Sequence, residues 1–186
     1  MKYLATSAAI VLALASTGNA QDASQWAGVY VGLTTASNSG DMTYDPGNDF
    51  DLDGNNAGVI LGYNFARGPW VFGGEFAYFK GRVQEVGNPN FGYESWSDLK
   101  ARGGYAFNNV LVYGTLGTTF STWDESGFSG DGTGLLYGVG AEYLVTSHFF
   151  VGAEYLVRDM KSDWNSSGEE LEADVNTIAL RVGMKF

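Results

Sequence analysis

Along most of the chain, apolar and polar residues alternate with a period of two, the spacing of strands rather than helices. Eight such stretches stand out, over residues 26–35, 57–66, 70–80, 96–107, 110–120, 134–145, 149–160 and 175–186. Each is about 10–12 residues long, close to the ~9–11 that a tilted strand needs to cross a bilayer; soluble strands usually stop near about five or six. The links alternate in length. Arg67-Gly68-Pro69, Asn108-Asn109 and Thr146-Ser147-His148 are tight, whereas 36–56, 81–95, 121–133 and 161–174 are long and polar. That alternation predicts an all-β fold, an eight-stranded antiparallel up-and-down transmembrane β-barrel. An even strand number returns both termini to the short-turn, periplasmic side, with the long loops outside.

The faces of these strands are unequal. In the last one, Ile178, Leu180, Val182, Met184 and Phe186 share one side, and Thr177, Ala179, Arg181, Gly183 and Lys185 the other. In the fourth, Leu99, Ala101 and Tyr105 oppose Asp98, Lys100, Arg102 and Gly104. The fifth strand leaves its phase open, with Val112 and Leu116 placed outward. Charges and glycines share one face, and the charges come in complementary sets. A charged, plugged interior is therefore expected, with an ion-pair network of Glu75, Asp98, Lys100, Arg102, Glu142, Glu154, Arg158, Arg181 and Lys185. Glu75 lies five residues past Trp70, Arg102 five before Phe107, Glu154 five after Phe149 and Arg181 five before Phe186, which puts them in one layer. Turning Lys100, Arg102 and Arg181 toward lipid would cost about 2–4 kcal/mol each near the midplane, so a one-residue register slip is forbidden.

The tryptophans add a second signal. Trp26 and Trp70 fall at the short-turn end, and Trp96, Trp123 and Trp164 at the long-loop end, as two membrane-interface girdles would require. At the start, Met1-Lys2, an apolar run centred on Ile10-Val11-Leu12, and Gly18-Asn19-Ala20 have the layout of a cleavable secretory signal. The expected division is a signal peptide over 1–20 and a barrel domain over 21–186. No later apolar stretch is long enough for a membrane helix, so a membrane role must use strands. The chain holds 27 Gly, 12 Phe, 11 Tyr and 5 Trp but no Cys, which argues against disorder and against a disulfide scaffold. Its net charge of −11 argues against nucleic acid as a partner.

Several segments resemble a known family in their order along the chain. They are Trp26-Ala27-Gly28-Val29-Tyr30-Val31-Gly32, Leu99-Lys100-Ala101-Arg102-Gly103-Gly104-Tyr105-Ala106-Phe107, Tyr137-Gly138-Val139-Gly140-Ala141-Glu142-Tyr143, Gly152-Ala153-Glu154-Tyr155 and Val182-Gly183-Met184-Lys185-Phe186. Together they are similar to the OmpA-type transmembrane barrel, and to the small porin-like and opacity-type outer-membrane antigens of Gram-negative bacteria. The resemblance implies location in the cell outer membrane and insertion by the outer-membrane assembly machinery. It also implies that Leu180, Val182, Met184 and Phe186 form the assembly signal.

Three functions compete. The first is a structural and surface-interaction protein that maintains the membrane and whose loops meet lipopolysaccharide, neighbours or a host ligand. Most of the 21 acidic residues fall in the long links, so divalent cations are expected to screen them. Asp49-Phe50-Asp51-Leu52-Asp53-Gly54 reads as the front of an EF-hand loop, but its twelfth position is Ile60, not Glu, so Asp49, Asp51 and Asp53 are a weak metal candidate. The second is a narrow or gated pore, disfavoured because eight strands leave an interior about filled by side chains. The third is a lipid-A-modifying enzyme. Acyl hydrolysis wants a nucleophile and a base, yet Cys is absent and the only His, His148, lies in a periplasmic turn. No catalytic residue and no cofactor is expected.

Overall fold

The computed structural model describes residues 23–44, 48–125, 128–163 and 170–186. A short 3₁₀ turn, Ala23–Trp26, leads into eight strands: Gly28–Tyr44 (β1), Asn48–Arg67 (β2), Trp70–Glu85 (β3), Asn88–Phe107 (β4), Val110–Glu125 (β5), Phe128–Leu144 (β6), Phe149–Asp163 (β7) and Glu170–Lys185 (β8). Each pairs antiparallel with the next, and β8 closes back on β1 from Tyr30↔Lys185 to Tyr44↔Leu171.

The strands are longer than the alternating stretches predict. β1 continues nine residues past Thr35, and β2 begins nine before Ala57. Much of the long polar links is therefore wall rather than loop. At about 3.4 Å per residue and roughly 40° of tilt, the wall rises roughly 20 Å beyond the apolar band.

Polarity inverts where this extension starts. Below it, Val29, Val31, Leu33, Leu61, Phe76, Leu99, Leu116, Ile178 and Leu180 face outward, while Glu75, Lys100, Arg102 and Arg181 are buried inside. Above it, the outward positions are Ser37, Ser39, Asp41, Asp51 and Asp53. The interior there is mostly apolar: Met42, Leu52, Val83, Tyr93, Trp96, Trp123 and Met160 are all buried, with Asn38, Asn56 and Ser121 among them. The lower half is a barrel for lipid and the upper half a barrel for water. Near the change the wall is irregular. β3 and β4 slip register between Lys80 and Val83, where Gly81 adopts φ 144° and a Cβ would sit 2.7 Å from Asn56 Cα.

The fifth strand takes the phase that puts Leu116 outward and Leu111, Tyr113, Thr115 and Thr119 inward.

Candidate functional site: the lumen and the outer wall

Two tiers of charge fill the lumen. In the lower tier, Lys100 Nζ lies 2.8 Å from carboxylate oxygens of both Glu75 and Glu154. Arg102 reaches Glu142 at 2.8 Å and Glu75 at 3.5 Å. Arg181 pairs with Glu75, with Glu142 at 3.3 Å and with Glu154 at 3.2 Å. The hydroxyl of Tyr30 donates to Glu75 at 2.7 Å and accepts from Arg102 at 2.9 Å. Tyr113 accepts from Arg181 at 3.0 Å, and its ring lies 3.9 Å from the Arg102 guanidinium carbon. Both tyrosine rings lie over lumen glycines: a Cβ on Gly62 would collide with Tyr30, and one on Gly140 with Tyr113.

The upper tier is smaller. Arg158 pairs with Asp98 at 2.7 Å and donates to Thr177 at 2.6 Å, and Thr177 donates to Asn38 at 2.7 Å. The Arg158 guanidinium carbon sits 4.8 Å from the Trp96 ring centroid. Together the tiers bury Glu75, Asp98, Glu142 and Glu154 with Lys100, Arg102, Arg158 and Arg181, so acids and bases balance. That balance is what a low-dielectric interior demands, because a lone buried charge is expensive. Lys185 stands apart. It is half-buried at the barrel mouth and joins none of the ion pairs among the described residues.

The tryptophans divide differently from the predicted girdles. Among the described residues only one tryptophan, Trp70, faces outward, at 52% exposure, and its ring meets Tyr105 edge-on at 5.3 Å. Trp26, Trp96 and Trp123 are 3%, 2% and 4% exposed. Trp96 shares the parity of Asp98 and Lys100 on β4, so its side chain must enter the lumen; Trp123 shares that of Tyr113 and Thr119 on β5. Trp26 lies under the short-turn mouth, where its carbonyl accepts from Asn64 at 3.3 Å. Trp164 lies outside the described residues. At the short-turn end Phe65, Trp70, Phe72, Tyr105, Phe149 and Phe186 form the exposed aromatic ring, with Phe65 stacked on Phe72 at 5.5 Å. Leu180, Val182 and Phe186 are exposed on the lipid side of β8, and Met184 is half-buried.

Above the apolar band the wall is acidic. Asp51 pairs in register with Asp41, Asp41 with Asp174, and Asp174 with Asp159, a row of four carboxylates across β2, β1, β8 and β7. Like charges directly opposite oppose pairing. Asp174, on the part of β8 that projects from the band, has its pKa raised by partial burial and by Asp159, Glu172 and Asp41. The EF-hand-like stretch is part of this wall. Asp49, Asp51 and Asp53 occupy alternate positions of β2, and Gly54 pairs with Val83 in the sheet. An extended strand spreads such ligands along a line and cannot wrap them around an ion. Among the described residues no group of three or more His, Cys, Asp or Glu could hold a metal.

His148 sits in an exposed turn, its Nδ1 2.8 Å from Ser147 Oγ, at the barrel end opposite the acidic row.

The description "Outer membrane protein beta-barrel domain" matches residues 7–186. The chain belongs to this family. Its relatives include the 22 kDa outer membrane protein of Rhizobium leguminosarum bv. viciae, 31% identical over 88% of this chain and 80% of that protein. Among solved structures, this chain's barrel is similar to Ail of Yersinia pestis, with a TM-score of 0.53 and 21% identity over 86% of this chain and 99% of Ail. OprG of Pseudomonas aeruginosa gives a TM-score of 0.54 and 19% identity over 86% of this chain and 96% of OprG. These two likenesses concern the fold alone. A further Ail structure holds the heparin analogue sucrose octasulfate.

Proposed function

We propose that this outer-membrane barrel is a closed structural and surface-interaction protein, not a wide pore and not an enzyme. One observation carries the reading. The lumen is filled first by two balanced ionic tiers and then by the apolar packing of Met42, Leu52, Trp96, Trp123 and Met160. An eight-stranded barrel has no room for both that filling and a water column. In this reading the short turns and both termini face the periplasm, and the upper wall stands outside the cell.

The partners follow from the wall. The apolar band meets outer-membrane lipid, and the acidic extension meets lipopolysaccharide through screening divalent cations, held diffusely along the aspartate row. Sulfated glycans, which suit the Ail complex, would be repelled by this surface. Phe186, Met184, Val182 and Leu180 would present the signal read by the assembly machinery. A host or neighbour ligand would bind at the projecting end.

Fractionation combined with surface proteolysis of intact cells tests the proposal. The protein is expected in the outer membrane, with cleavage confined to the end carrying Asp41, Asp51 and Asp174. Cleavage at the 146–148 turn from outside would reverse the orientation. Steady nanosiemens openings in planar bilayers would overturn the closed reading.

A further inference from the structure

In the membrane band most outward positions carry large side chains, but a few carry none. Gly74, Gly103 and Gly114 all face outward, and Gly103 pairs in register with Gly114. Lumen glycines make room for neighbouring atoms, but these do not. A Cβ on Gly103 would meet nothing closer than Phe72 Cδ1 at 3.5 Å, and one on Gly114 nothing closer than Gly138 O at 3.8 Å. The barrel's own packing does not require them to be small. Gly103 and Gly114 floor a trough of about 620 Å³ whose sides are Leu116, Tyr137, Val139 and Tyr155.

The trough has a direction. Register carries one outward row from Gly103 to Gly114, Val139, Tyr155 and Ile178, and the next from Ala101 to Leu116, Tyr137, Val157 and Asn176. Because strands of such barrels tilt by roughly 40°, rows that follow the hydrogen bonds climb the wall obliquely. The floor therefore starts deep in the hydrocarbon band and the trough ends at its upper edge. There the Tyr155 hydroxyl donates to Asn176 Oδ1 at 2.6 Å, which leaves the Asn176 amide nitrogen as a half-buried donor. Asp159 and Asp174 begin the acidic row immediately above.

We propose that this trough seats one acyl chain of an outer-leaflet lipopolysaccharide molecule. The methylenes lie over Gly103 and Gly114, and an ester or amide carbonyl accepts from Asn176 at the headgroup level. Hydrocarbon surrounds the floor, so an apolar chain must fill it. The polar end lies at the band's upper edge, beneath an acidic row that divalent cations can bridge to phosphate, which favours a lipid held from the outer side. The inference rests on the orientation proposed above.

The test is native mass spectrometry of the full-length barrel extracted from outer membranes in mild detergent. The parent is compared with Gly103→Leu, Gly114→Leu and, on the opposite wall, Val31→Leu. The parent and Val31→Leu are expected to retain a lipopolysaccharide molecule. The two trough-filling variants should retain it about tenfold less well, as expected when at least two methylenes lose their burial, with heat-modified gel mobility unchanged. Equal retention in all four proteins, or none in the parent, overturns the proposal. So does a trough-filling variant that loses a cross-linked dimer instead of a lipid, because the occupant is then a second copy. Retention of a glycerophospholipid in place of lipopolysaccharide also overturns it. Surface proteolysis on the same cells then shows separately whether the orientation reading failed with it.

Discussion

Arg181 is the residue on which most of the lumen converges. It meets Glu75, Glu142, Glu154 and the Tyr113 hydroxyl. Arg181→Ala leaves three carboxylates facing only Lys100 and Arg102, so we expect a loss of about 3–5 kcal/mol, read from urea titration of the lipid-inserted protein. Unchanged urea resistance would show that the pairs contribute little. On the outer wall the sign is different. A carboxyl whose folded pKa is raised contributes stability that is complete in acid and lost as pH rises through that pKa. Asp174 is such a group, crowded by Asp159, Glu172 and Asp41. Asp174→Asn should therefore melt slightly above the parent at neutral pH and together with it in acid. Thermal melts at the two pH values, followed by far-UV circular dichroism, decide the matter.

The strands themselves show what could be read from the chain and what could not. Facing residues of β2, β3, β4 and β8 were legible, because apolar and charged positions alternate cleanly there. The layer containing Glu75, Arg102, Glu154 and Arg181 was legible too, by counting from strand ends. Strand lengths were not. Beyond Thr35 the alternation persists, but the apolar residues move to the inner face and the outer face fills with Ser and Asp, which reads as loop. The tryptophan error has a related cause. Position along a strand sets depth, yet parity sets direction, and the parity of Trp96 with Asp98 already pointed inward. Tyr113 was missed because β5 carries few charges to fix its phase. The two-part strand makes its own prediction. Leu52→Asn puts an amide into the apolar upper core, at a cost of about 2–5 kcal/mol confined to that half. Limited proteolysis should open sites near residues 40–52 while heat-modified mobility, set by the membrane half, persists. Loss of both together would mean that the halves unfold as one.

As a whole molecule the barrel combines an apolar band and a polar extension of the wall in a single sheet, so whatever touches the far end of that extension is mechanically continuous with the band. The seam has a further consequence. β1 and β8 meet along fifteen consecutive partners, from Tyr30↔Lys185 to Tyr44↔Leu171. The earliest strand to be synthesised can therefore find its last neighbour only when the final residues arrive. Until then every partial chain carries two open hydrogen-bonding borders and a half-assembled ionic centre, liabilities that only closure of this seam removes.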